Sequence, residues 1–268
     1  MNRTHNSISC TAILFSLSLV FTHSQQLLQA GTIVDLTTLG NTGNIGVGFF
    51  DTNVQQATGT GGFDTFSQQS PQGNGTTSHA YNTTVNNTLD NKASDNFNRS
   101  ILLSDIPIQN LSGVPHRRFS LDINESKGNG DEFLSLDEIQ VFVGGTANSS
   151  VTSFTAGILD HDGTLVYRMD TGMDNWVALD YSLNDGSGSG DMFFYLPDSL
   201  FDSFSGPDVV TLYSQFGLQG VDPAGFTGNF GASANFEEWG LPAVAVPEPC
   251  SLLIMVVSLG FISLRRAC

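Results

Sequence analysis

Leu136-Asp137-Glu138-Ile139-Gln140-Val141-Phe142-Val143 is the stretch whose reading decides the fold class. It starts irregularly, with two adjacent acids, and then turns β-branched and apolar. That composition predicts a strand. Working outward, Phe119-Ser-Leu-Asp-Ile123 alternates apolar and polar residues, and Ile101-Leu102-Leu103 is a short apolar run. Downstream come Val151–Leu159, Leu165–Met169, Trp176–Leu183, Met192–Leu196 and Val209–Phe216. Gly, Asp, Asn and Pro clusters separate them, with His161-Asp162-Gly163 reading as a tight turn and Asn184-Asp185-Gly186 opening a longer one. No stretch of the body keeps a helical apolar period beyond about two turns. The expected fold is all-β: an antiparallel β-sandwich of jelly-roll-like type. Residues 31–100 are rich in Gly, Asn, Thr and Ser and read as a loop-rich N-terminal third, with isolated strands at Thr32–Leu36 and Val47–Phe50.

The two ends differ from the body. An apolar run from Ile8 to Phe21 follows Arg3 and His5, and small residues near Ala30 supply a cleavage region. Residues 1–30 therefore read as a secretory signal peptide, with an uncleaved anchor as the alternative. The last segment, 246–268, has three parts: Pro247-Glu248-Pro249, an apolar run from Ser251 to Leu264, and Arg265-Arg266. The prolines hold the chain extended, as a protease requires. The apolar run would rise about 21 Å as a helix, short of the roughly 30 Å hydrocarbon core. Snorkelling arginines let such a segment insert, and Arg265 and Arg266 fix the cytoplasmic side. Apolar helices are thus expected at both termini, around a body at 31–245.

This tripartite end resembles the PEP-CTERM sorting signal of Gram-negative bacteria. The resemblance implies export by the Sec machinery, recognition by a membrane-embedded exosortase and processing near Pro247, Glu248 and Pro249. It implies delivery to the cell surface, outer membrane or extracellular matrix after transient inner-membrane anchoring. A plain tail anchor accounts for the apolar run and the arginines but not for Pro-Glu-Pro. Within the body, Phe119-Ser-Leu-Asp-Ile-Asn-Glu, Phe133-Leu-Ser-Leu-Asp-Glu-Ile-Gln-Val-Phe and Asn235-Phe-Glu-Glu-Trp-Gly resemble blocks of uncharacterised, planctomycete-type PEP-CTERM proteins. That second resemblance implies group membership and no activity.

Composition narrows the function classes. The chain holds 26 acidic residues against 9 Lys plus Arg. Such a surface repels phosphate backbones, so nucleic acid is not an expected partner. The cysteines, Cys10, Cys250 and Cys268, all lie in or beside the terminal segments, which leaves the body without a Cys nucleophile or a Cys-based zinc site.

Four places carry candidate chemistry. Between Asp122 and Glu138, the oxygen-bearing residues Asp122, Asn124, Asp131 and Asp137 are candidate Ca²⁺ ligands. The EF-hand register fails there, since Lys127 stands where glycine is required and Phe133 where the bidentate Glu belongs. The same stretch also reads as two strands joined by a solvated acidic turn. Asp180–Asp191, with its Gly-Ser repeats, reads as a ligand-contacting loop or a hairpin connection. His161, flanked by Asp160 and Asp162, reads as a metal ligand or base, or as a plain turn residue. Glu237-Glu238 before Trp239 invites a glycosidase reading, but neighbours on a strand face opposite sides and cannot be the catalytic pair. No hydrolase signature occurs, and no catalytic residue or obligatory cofactor is assigned. The expected function is a non-enzymatic exported surface or matrix protein; the alternatives are a lectin-like polysaccharide-binding module, aided by Ca²⁺, and a carbohydrate-active hydrolase.

Overall fold

The structure is a computed structural model that describes residues 31–53, 63–92, 96–184, 190–233 and 235–242. The expected terminal helices, the Pro-Glu-Pro segment and Arg265-Arg266 lie outside the described residues. Within them there is no α-helix, only three short 3-10 turns, and no helix is long and apolar enough to cross a membrane.

The body is mostly β and dominated by antiparallel pairing. One seven-stranded sheet contains β1 (Ile33–Leu36), β5 (Ser78–Tyr81), β6 (Ile101–Leu102), β9 (Phe133–Val143), β12 (Thr164–Arg168), β13 (Trp176–Asp180) and β15 (Val209–Phe216). Its order is β1-β13-β9-β15-β5, with β12 also against β9 and β6 against β15. The other sheet contains β2 (Thr42–Ile45), β3 (Gly48–Asp51), β4 (Phe63–Gln69), β7 (Ile108–Leu111), β8 (Val114–Asp122), β14 (Met192–Pro197) and β16 (Glu237–Pro242). Its order is β2-β3-β14-β8-β16-β4, with β7 against β8. A small hairpin, β10 (Phe154–Thr155) and β11 (Ile158–Leu159), stands apart. Among these ladders β1–β13 is parallel and the rest are antiparallel.

Both sheets contribute to one core. Leu134, Leu136, Ile139, Val141 and Val143 of β9 join Leu212 of β15, Phe119 and Leu121 of β8, Phe194 of β14 and Trp239 of β16. Phe194 stacks on Phe50 at 5.0 Å and meets Trp239 edge-on at 6.2 Å. Trp239 also donates its indole N–H to Ser214 Oγ at 3.0 Å, tying β16 of the second sheet to β15 of the first. A buried indole without such a partner would lose roughly a hydrogen bond's worth of stability.

The irregular start of β9 has a structural cause. Inner positions run 134, 136, then 139, 141 and 143, so the period of two slips once. At that slip Gln215 pairs with Glu138 while the next residue, Phe216, pairs with Leu136. Asp137 is the extra residue of a β-bulge, and Asp137 and Glu138 both leave the core.

Residues 31–100 correct the sequence reading. Their described part carries five strands, not two, and β4 and β5 pair with β16 and β15 of the two sheets. The signal was missed because β4 buries polar side chains. Gln69 donates to Ser78 Oγ at 3.1 Å and accepts from Ser214 Oγ at 3.2 Å, and Gln68 donates to Glu238. Polar partners on both sides erase the apolar alternation by which a strand is recognised. The Asn-rich run after β5 is a loop as expected, pinned by Asn82 and Asn91, whose side chains bond backbone groups such as Val210 O, Leu212 N and Thr83 O.

Candidate functional site

The outer face of the first sheet is capped at two places. Tyr81, Phe142 and Tyr213 pack beneath the β10–β11 hairpin, and Trp176 and Ala178 of β13, with Phe133, pack beneath Phe226 and Phe230 of the 218–232 segment. Gln140 on β9 holds the hairpin down by donating to Gly157 O at 2.7 Å and accepting from Leu159 N at 2.9 Å. A trough of about 340 Å³ remains, with Phe154 and Gly157 on the hairpin side, Leu218 on the other, and the bulge residues Asp137 and Glu138 along its lining.

Three carboxylates meet there. Glu138 Oε1 accepts N–H groups of Ile139, Met169 and Asp170 at 3.0–3.2 Å. Its Oε2 accepts Arg168 Nε at 3.0 Å and Gln140 Nε2 at 3.4 Å. Asp137 accepts Ser135 Oγ, Leu218 N and Gln219 Nε2 at 2.8–3.0 Å, yet burial outweighs these bonds and pushes its carboxyl up to about 6. Asp170 is pushed up to about 7, first by burial and then by Glu138 and Asp174, against the N–H of Asn175. Beside them His79 stacks on Phe154 with ring centres 6.0 Å apart, and Phe154 meets Tyr213 edge-on at 5.3 Å. The hydroxyl of Tyr213 lies 3.3 Å from His79 Nδ1. The result is a wall of aromatic rings next to carboxyl, amide and guanidinium groups, the equipment for a polyhydroxylated ligand. A hollow of about 390 Å³ beside Ile45, Tyr167 and Met173 is larger but has no carboxylate in its lining.

The sequence candidates scatter. Asp137 lines the trough. Asp122 is fully buried at the end of β8 in the other sheet, opposite Glu238 in register. Asn124 donates its amide to Phe236 O at 3.2 Å, and Asp131 accepts Asn229 Nδ2 at 3.1 Å. Among the described residues no group of three or more His, Cys, Asp or Glu is arranged to hold a metal ion. The Asp180–Asp191 loop has residues 185–189 outside the described set; at its ends Asp180 accepts Ser182 N at 2.8 Å and Asp191 accepts Ile123 N at 2.8 Å. His161 is a turn residue with a buried side chain. Its Nδ1 accepts Gly163 N at 3.0 Å, so the Nε2 proton points to Thr211 Oγ1 at 3.3 Å. Burial lowers its pKa, against the opposing charge of Asp162.

Glu237 and Glu238 do separate, as neighbours on a strand must. Glu238 meets Gln68, while Glu237 points with Trp239 toward the interior and meets Glu125. Sequence reasoning missed His79, Phe154, Arg168, Asp170 and Tyr213, which come together only through strand pairing. One signal was present: adjacent acids interrupting the alternation of β9 mark the bulge.

Compared with protein-family models, with curated proteins and with solved structures, the chain finds no match.

Proposed function

We propose that this chain is an exported, exosortase-sorted protein of the cell surface or extracellular matrix whose jelly-roll β-sandwich body binds polysaccharide. The strand order supports the fold reading. Taking β4, β5, β8, β9, β13, β14, β15 and β16 as 1 to 8, the neighbours run 1-8-3-6 in one sheet and 2-7-4-5 in the other. That alternation between two sheets is the jelly-roll pattern, an architecture that lectin domains share. Fold alone carries no function. The observation that carries the binding reading is the trough on the first sheet, where Phe154 and His79 stand beside Glu138, Asp137 and Arg168. Rings cover the apolar faces of sugars, and fixed polar groups take their hydroxyls. Glu237 faces Glu125 in the interior, which favours binding over hydrolysis in this reading.

The test is a glycan array on the purified chain, with and without chelator. Binding to at least one polysaccharide that falls about tenfold in Phe154→Ala supports the reading, in line with one lost aromatic contact. Silence under both conditions removes it. Sorting rests on the tripartite end. Alanine at Pro247, Glu248 and Pro249 should leave a longer, membrane-retained product. Intact mass spectrometry that finds residues 250–268 on the mature native protein defeats the processing claim.

A further inference from the structure

β16, the last strand, runs antiparallel to β8, with Glu238 opposite Asp122 and Gly240 opposite Ser120, and ends at Pro242. It therefore heads along β8 toward Val114, where a two-residue turn, Ser112-Gly113, joins β8 to β7. Both turn residues have positive φ, 51° and 89°, as such a hairpin turn requires. From Ser120 back to that turn β8 covers about 24 Å, whereas β16 has about 7 Å left after Gly240. The β7–β8 hairpin thus projects about 17 Å past Pro242, in the direction in which the chain departs.

The projecting tip is apolar and free of acids. Ile108 and Val114 are each 51% exposed, and Leu111 pairs with Val114 across the turn. Residues 106–121 contain His116, Arg117 and Arg118 and no Asp or Glu, in a chain with 26 acids. Arg117 seats the base of the hairpin: its Nε donates to Asp198 Oδ1 at 2.7 Å, and its Nη1 to Leu103 O and Ile106 O at 2.6 and 3.2 Å. Asp198 stands at that base on Arg117, and Asp105 accepts the N–H of Leu102 there, so the tip reaches beyond both.

The length of chain beyond the body fixes what this tip meets. Residues 243–250 separate Pro242 from the apolar run that begins at Ser251, and fully extended they reach no more than about 30 Å. With that run in a bilayer, Pro242 stays within this distance of it, and the hairpin spans more than half of the gap. A few apolar side chains hold a bilayer only weakly, but a tether this short keeps them at high effective concentration over it. We propose that the β7–β8 hairpin docks on the membrane that holds the C-terminal tail, with Ile108, Leu111 and Val114 in the interfacial layer. No acidic side chain of the hairpin then meets the lipid phosphates. This docking rests on the sorting reading of the tail. Leu218, Val221 and Phe236 are exposed as well, but they follow β15 or precede β16, at the other end of the sandwich and away from the departing chain.

The experiment reads flotation and depth together. The chain is exported in a host without exosortase and reconstituted into vesicles of phosphatidylethanolamine and phosphatidylglycerol. Cys10, Cys250 and Cys268 are replaced by serine, and a fluorescent label is attached at Val114→Cys or, at the far end, at Val221→Cys. The chain should float with the vesicles and stop floating when 251–268 are deleted. Lipid nitroxides about 5–10 Å below the headgroups should quench the label at 114 at least about twofold and leave the label at 221 unchanged. Ile108→Asp should return the label at 114 to water, with flotation and melting temperature as before. In chains that float, a label at 114 quenched no more than the one at 221 overturns the docking and leaves the tail reading standing. Self-quenching between labels at 114 on two chains, without lipid quenching, gives the hairpin to a second copy and overturns the docking as well. No flotation, or flotation that survives the deletion, removes the tail reading and the docking with it.

Discussion

Among the described residues Glu138 accepts five hydrogen bonds and Glu237 one, although both are buried glutamates on strands around the same core. Glu138 sits on a bulged strand beneath the segment after β12. That segment curls its Met169 and Asp170 N–H groups onto one oxygen and brings Arg168 to the other. Glu237 enters the interior where β16 begins, and its neighbour is another acid. Burial is therefore a poor guide to what a carboxylate does. The supply of donors decides how much of its surroundings it organises, and where donors are few, as at Glu237, burial favours the neutral form.

The sharpest way to break this comparison is Glu138→Ala. It takes the acceptor from Arg168 Nε and from the Asp170 N–H, while Arg168 Nη1 keeps Ala156 O and the Met169 N–H keeps Ile139 O, and should cost about 3 kcal/mol in a denaturant melt. A loss below about 1 kcal/mol would mean that Glu138 holds no more together than Glu237 does. Asp137 stands between the two extremes, with three donors and a carboxyl still raised to about 6 from 3.8. Its protonated form favours the fold, so its contribution fades as pH rises from about 4 to about 6. Asp137→Asn should flatten up to about 3 kcal/mol of pH dependence in that window, measured by denaturant titration.

Gln140→Ala removes two bonds from β9 to the β10–β11 hairpin, leaving Arg168 Nη1 on Ala156 O, and about 2 kcal/mol with them. The readout is faster proteolysis and amide exchange at 154–159, with the β9–β15 ladder unchanged. The mildest change is Arg168→Lys, which keeps the charge but loses the directed Nε bond to Glu138. About 1 kcal/mol is expected, together with weaker binding of any glycan found for the trough.

Much of the fold was legible from local pattern. Leu165–Met169, Met192–Leu196 and Val209–Phe216 each became a strand close to the expected bounds, and Phe119–Ile123 became the end of a strand that starts five residues earlier, at Val114. Val151–Leu159 became only two two-residue strands, because its apolar residues cover the outer face of the first sheet and do not extend it. β4 and β5 were not legible. The buried Gln68 and Gln69 of β4 meet Glu238 and Ser214, residues that no local window contains. The candidate calcium ligands parted for a related reason: the bulge sends Asp137 to one sheet's outer face while Asp122 ends a strand of the other.

By itself, the sequence determined that the body is β-structured, because short apolar runs broken by Gly, Asp and Asn can bury a face only as strands. It also carried the whole of the proposed address, in Pro247-Glu248-Pro249 and Arg265-Arg266. The tertiary structure alone decided how many donors each buried acid meets. Backbone N–H groups and one guanidinium reach Glu138 from the far end of β12, whereas among the described residues Glu237 receives the Asn124 N–H alone. A backbone donor has no letter in the sequence, and its direction exists only once the chain has folded.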